Sequence, residues 1–145
     1  MVIGSKNSLV SFEDFRFEPD DNVAIDRLTS FKYLGVTTDE KWNWKAHVRN
    51  LIKKLGHRIC VFNRICHMLD TKSRIAYYNG LVLPHLDYGD ILWGDQPGLK
   101  SEMEQLQAFQ NKFARKVLGK KVSSKEALKE LSWVPLEDQR RIHRY

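Results

Sequence analysis

At 145 residues, with 42% hydrophobic and 29% charged, the chain has the length and composition of one small globular domain rather than of a disordered or fibrous polymer. No apolar run approaches the roughly 18 residues that suggest a membrane span, and Met1-Val2-Ile3-Gly4-Ser5 is too short for a signal peptide, so the expectation is a non-secreted intracellular protein of the nucleus or cytoplasm with no membrane partner. The net charge of +6 is unevenly spread: nineteen of the 24 basic residues but only ten of the 18 acidic ones follow Asn43, and no acid separates Glu40 from Asp70. Such a field favours a polyanionic partner.

The opening reads as short strands. Val2-Ile3, the Phe12, Phe15 and Phe17 set spaced for extended structure, and Val23-Ala24-Ile25 after the turn signal Pro19-Asp20-Asp21-Asn22 fit a small antiparallel arrangement. In the next strand Phe31, Tyr33 and Gly35 point one way and Lys32, Leu34 and Val36 the other, with Gly35 permitting a bend or close backbone approach.

From Trp44 the period becomes helical. Val48, Leu51, Ile52, Leu55, Ile59, Phe62, Cys66 and Leu69 fill an arc of roughly 100°, and Lys45, Arg49, Lys53, His57 and Arg64 one of about 120° nearly opposite. An ordinary solvated face mixes signs and gains from Glu and Lys pairs one turn apart; this one carries positive charge alone. A helix from Trp44 to Leu69 would be about 37 Å long, enough to run beside a duplex. Thr71 is a candidate N-cap for a second helix through Leu81, which Pro84 kinks or ends, and His85 to Trp93 reads as short helical or irregular chain. Gly94 and Pro97-Gly98 mark a loop. A third long helix, Leu99 to Leu118, carries Leu99, Met103, Leu106, Phe109, Phe113 and Val117 on one stripe and stops at Gly119. Ser123 with Glu126 forms a capping box for a short helix, Trp133 anchors a turn, and Pro135 opens a final helix bearing Arg140, Arg141 and Arg144. The fold class is therefore α+β: short N-terminal antiparallel strands followed by a mostly helical bundle, with the boundary between residues 1–43 and 44–145.

Other chemistry finds weak support. His57, Cys60, Cys66 and His67 are scattered around one helix, whereas zinc ligands converge from separate elements, so packing and reduced thiols are expected. His47 is suited to orienting the junction of strand and helix, with a phosphate contact as the alternative. Trp93 and Trp133 read as gap-fillers between helices. Asp87 and Asp90 in Asp87-Tyr88-Gly89-Asp90 read as two solvated acids around a turn or helix end.

Phe31-Lys32-Tyr33-Leu34-Gly35-Val36, followed by Asp39 and by Trp44-Lys45-Ala46-His47-Val48, resembles the primer-grip hairpin and first thumb helix of the reverse transcriptases of non-LTR (LINE-like, jockey-type) retrotransposons. Three further stretches match that family in order: Leu83-Pro84-His85-Leu86-Asp87-Tyr88-Gly89 with Trp93-Gly94; Gln110-Asn111-Lys112 with Ala114-Arg115 and Leu118-Gly119; and Leu131-Ser132-Trp133-Val134-Pro135-Leu136. Val134 stands where the family more often has leucine, and Gly89 where it often has a small residue or cysteine.

The resemblance implies the back end of an RNA-directed DNA polymerase, cut off at both ends: palm-edge strands and primer grip over 1–43 and a thumb-like region over 44–145. The family's catalytic aspartates, which hold Mg²⁺ for two-metal phosphoryl transfer, lie on strands upstream of the primer grip, and no such pair occurs here. The chain alone is therefore expected to bind RNA·DNA template-primer without catalysis and without its own cofactor, with the missing palm and fingers of the same polyprotein as partners. Tyr33, Leu34 and Gly35 are carried over for the primer grip; Lys32, Lys45, Arg49, Lys53 and Arg58 are the candidates for phosphate contacts. The alternative is a non-enzymatic nucleic-acid-binding or protein-interaction module derived from a decayed element.

Overall fold

The computed structural model describes residues 28–94 and 96–145, and they form an antiparallel hairpin followed by helices, the α+β class expected. The strands anticipated at Val2-Ile3, Phe12 to Phe17 and Val23 to Ile25 lie outside the described residues. The chain divides into two compact units, Met1–His47 and Val48–Tyr145.

In the first unit, β1 (Ser30–Tyr33) pairs with β2 (Val36–Asp39), Ser30 opposite Asp39 and Tyr33 opposite Val36. Phe31 to Val36 is thus not one strand. Leu34 and Gly35 form a two-residue turn, both with positive φ (46° and 83°), as hairpins require when the turn twist must match the strand twist. The exit is locally specified. One Asp39 carboxylate oxygen accepts from the backbone N–H of Lys41 (3.0 Å) and Asn43 (2.6 Å), and the Asn43 side chain accepts from Lys45 N–H (3.1 Å). Thr37 N–H donates to His47 Nδ1 (3.3 Å), the junction role expected of that histidine.

α1 (Lys45–Ile65) buries Val48, Leu51, Leu55, Ile59 and Phe62, with Ile52 half-buried. It ends earlier than its period suggests: Cys66–Met68 tighten into a 3-10 turn and Leu69 is extended. The second unit continues with α2 (Thr71–Leu81), α3 (Leu83–Asp87), α4 (Asp90–Trp93), a 3-10 turn at Pro97–Leu99, α5 (Lys100–Leu118), α6 (Ser124–Glu130) and α7 (Leu136–His143). Asp70, not Thr71, caps α2, accepting from Ser73 N–H (3.0 Å); the carboxylate one residue earlier reaches the third amide, where Thr71 is already helical. α2 stops at Leu81 and Pro84 falls in the first turn of α3, where its missing N–H costs nothing. Gly119 ends α5 at φ 66°, the Ser123–Glu126 capping box is formed, and Pro135 serves as the cap residue of α7 rather than inside it.

α1 and α5 run side by side in the same direction. Arg49 and Glu102 approach near both starts (3.6 Å), and the Phe62 and Phe113 rings meet near both ends (4.5 Å). Phe113 is the hub, with Tyr77, Tyr78 and Phe109 also ringed about it. Burial of each such side chain contributes about 1.5–3 kcal/mol. Arg74 ties the two helix ends together, donating to Cys66 O (2.9 Å) and Val117 O (3.2 Å).

Two motif residues find their reason in this core. Trp93 is fully buried beneath the Arg140 guanidinium, and a side chain on Gly94 would collide with Asp90 O and Arg140 Cδ, at 2.5 and 2.7 Å from its Cβ. Trp133 stacks on Tyr78 (3.8 Å between ring centres), the anchoring expected.

Candidate nucleic-acid interface

The hairpin tip presents Tyr33, Leu34 and Gly35 outward, Leu34 at 72% exposure. A leucine at positive φ costs about 1–2 kcal/mol, and no side-chain burial of that size offsets it here. Lys32 is exposed on β1, cross-strand from Thr37. Trp42, also at positive φ, is exposed while Trp44 is buried, their rings 5.7 Å apart.

Lys45, Arg49 and Lys53 follow one another at successive turns of α1 and share a face, Lys45 half-buried and the other two exposed. Arg58 does not join them, being about 140° around the helix from Lys53. It groups with Lys54, and both cations act on His85 of α3, whose pKa is held below its ordinary value first by burial and then by Arg58 and Lys54. Tyr77 OH donates to the Arg58 carbonyl (3.0 Å), fixing this stretch of α1 against α2.

Glu102 was not foreseen. It lies at a buried register of α5, one turn before Leu106, and faces Arg49. The acid-free face of α1 therefore meets an acid from another helix, and Arg49 is partly committed to it. The available signal was a carboxylate sitting i–4 from Leu106 and i–8 from Gln110, both buried.

Asp87 and Asp90 are not solvated acids. Asp90 is 3% exposed and within 2.7 Å of His143 Nδ1, and Asp87 accepts from Gln139 Nε2 (2.8 Å). Together they clasp α7 to α3 and α4 from either side of Gly89, whose φ is 67°. Burial raises the Asp87 pKa, and neighbouring Asp90 raises it further, against the opposing pull of His143 and Arg140. One oxygen of each carboxylate is engaged in this clasp, and among the described residues no group of three or more His, Cys, Asp or Glu could hold a metal. Cys60 is exposed and Cys66 half-buried, both as free thiols.

The amide network of α5 is structural. Gln110 Nε2 donates to Val134 O (3.0 Å) and Tyr78 OH (3.3 Å), and Gln107 Oε1 accepts from Leu136 N–H (2.9 Å), holding the Trp133 turn. Burial pushes the Tyr78 phenol up to about 12. Among the described residues no helix is long and apolar enough to cross a membrane.

The chain is similar to a probable RNA-directed DNA polymerase from transposon X-element of Drosophila melanogaster, 26% identical over 125 residues that cover 81% of this chain and 14% of the relative. The chain thus spans about one-seventh of that protein's length. No family model and no solved structure matches. The likeness supports a relationship to transposon reverse transcriptases.

Proposed function

We propose that this chain is the primer-grip and thumb portion of a non-LTR, jockey-type retrotransposon reverse transcriptase, residues 1–43 supplying palm-edge strands and the grip and 44–145 the thumb. It holds an RNA·DNA template-primer through phosphates, reading shape more than sequence. The single observation that carries this is the cationic row Lys45, Arg49 and Lys53, one turn apart on α1 and centred about 120° around the helix from its buried apolar stripe. The similarity to the X-element polymerase and the order of the motifs support the choice of partner. In this reading the Leu34–Gly35 turn is kept strained because Tyr33, Leu34 and Gly35 meet the primer end. Catalysis with Mg²⁺ belongs to the palm of the parent polymerase, and the exposed Phe31, Tyr33, Leu34 and Trp42 are covered by its palm, by fingers or by primer. The protein works inside the cell, in nucleus or cytoplasm.

The test is a titration against an RNA·DNA hybrid at several salt concentrations. Each phosphate contact contributes roughly 0.9 to the salt slope, so Lys45→Ala with Lys53→Ala lowers it by about two and weakens all sequences alike. Arg49 is left in place so that Glu102 keeps its partner. Equal slopes for two folded proteins would overturn the reading.

A further inference from the structure

We propose a second nucleic-acid contact surface at the far end of the helix pair: the cleft lined by Lys112, Arg115, Lys116, Lys120, Lys121 and Val122, which takes a phosphodiester backbone. The choice of ligand rests on the function proposed above; the site does not overlap that face.

The cleft is a concavity of about 510 Å³ whose lining has five cations, one valine and no acid. Lysine and arginine side chains are donors only, so a ligand filling it must supply acceptors at several points, as phosphate oxygens do. No aromatic ring lines it, and bases therefore find no stacking platform; contact is to backbone alone. Among the described residues one carboxylate is ion-paired to the lining, Glu130 to Lys120 at 3.1 Å, and it neutralises one cation of five.

The residues from Gln110 to Gly119 divide by role. Gln110 and Ala114 are buried, Gln110 in the network that holds the Trp133 turn, and Gly119 supplies the left-handed stop. Lys112 and Arg115 are exposed on the cleft. Arg115 and Lys116 also complement the negative end of the α5 dipole, but Lys112, a turn and a half earlier, and Lys121, beyond the helix, owe nothing to it.

The two cationic surfaces are separate. Lys53 ends the α1 face, and Lys112 begins the cleft beside Phe113, whose ring meets Phe62 nine residues beyond Lys53, a rise of about 14 Å at 1.5 Å per residue. That exceeds the roughly 8 Å screening length at physiological salt. Losses at the two surfaces therefore add to a first approximation.

The experiment uses the full chain, a labelled RNA·DNA hybrid and fluorescence anisotropy at several salt concentrations. The cleft variant is Lys112→Ala, Arg115→Ala, Lys121→Ala, all exposed, with Lys120 retained for Glu130. A charge-matched control is Lys72→Ala, Lys100→Ala, Lys129→Ala, exposed and outside both surfaces. The cleft variant lowers the salt slope by about two to three and binds on the order of tenfold more weakly, and combined with the α1 substitutions it loses the sum. In parallel, lysine acetylation read by mass spectrometry shows Lys112 and Lys121 protected in the bound wild type. A cleft variant that titrates like the control, or unprotected Lys112 and Lys121, overturns the proposal and leaves the α1 face standing. Loss at the cleft with none at α1 keeps this site and sinks the α1 reading; absence of binding by wild type sinks both.

Discussion

The two units of this chain are specified in different ways. The hairpin takes its shape from neighbours in sequence: the Leu34–Gly35 turn, the Asp39 carboxylate gathering two amides, and Asn43 at the start of α1, while every residue of β1 remains exposed. The helical unit is held by residues distant in sequence, Arg49 with Glu102, Arg74 with Val117, Asp87 with Gln139, Asp90 with His143, around an aromatic hub. Local turn chemistry can thus present the tip and β1 side chains at the surface with little more than Val36 and Trp44 buried beside them, whereas a cationic helix face needs a buried stripe behind it to stay oriented.

The largest effect that this contrast anticipates is on stability. Phe113→Ala removes the hub of the aromatic cluster and costs about 3–5 kcal/mol, while Phe31→Ala, half-exposed on β1, stays within about 0.5 kcal/mol. Urea unfolding followed by circular dichroism measures both, and comparable losses would break the contrast. Hydrogen exchange sharpens it: amides of Leu51 to Phe62 and Leu106 to Val117 are protected well beyond those of Ser30 to Asp39.

Next in size is the clasp on α7. Asp90→Ala leaves His143 without its carboxylate and costs about 1–3 kcal/mol, read as a lowered melting temperature. If instead the substitution left stability unchanged and abolished a dNTP-incorporating activity on primed RNA, both the structural role of Asp90 and the non-catalytic reading of this chain would be wrong.

How far the sequence disclosed all this depended on whether a signal was periodic or pairwise. The stripes of α1 and α5, the capping box and the Gly119 stop were legible because each is written within a few turns. The hairpin turn was misread as strand because alternation in Phe31 to Val36 continues through Leu34, and leucine is a poor signal for positive φ. Glu102, Asp90 and Arg140 were invisible as buried groups: a charged residue looks solvated until its partner, some fifty residues away for Glu102 and Asp90, is brought to it. Lys32, Lys45, Arg49, Lys53 and Arg58 could be named but not grouped, since their division between hairpin, α1 face and the His85 neighbourhood is a matter of azimuth and tertiary contact.

A smaller effect belongs to the hairpin tip. Leu34→Gly relieves the positive-φ strain, partly offset by the greater entropy glycine loses on folding, for a net gain of under about 1 kcal/mol. The same variant removes the exposed side chain proposed to meet the primer, so hybrid binding weakens as the hairpin becomes firmer. A gain in both would separate the strain from function.

The smallest effect is a titration shift, and it asks whether phosphates reach the side of α1 that carries Lys54 and Arg58. His85 titrates below its ordinary 6.5, with burial the first cause and the two cations adding to it. Because the folded state then binds fewer protons than the unfolded chain, the neutral imidazole's contribution to stability is present above 6.5 and is lost as pH falls through the folded value. Arg58→Ala removes one repelling charge and moves the pKa upward, yet still below 6.5, since burial remains. A bound RNA·DNA backbone neutralises both cations at once and moves it further up, followed by NMR of the His85 ring with and without hybrid. If saturating hybrid leaves the His85 titration where it was, the phosphates lie along Lys45, Arg49 and Lys53 alone, and Arg58 leaves the interface.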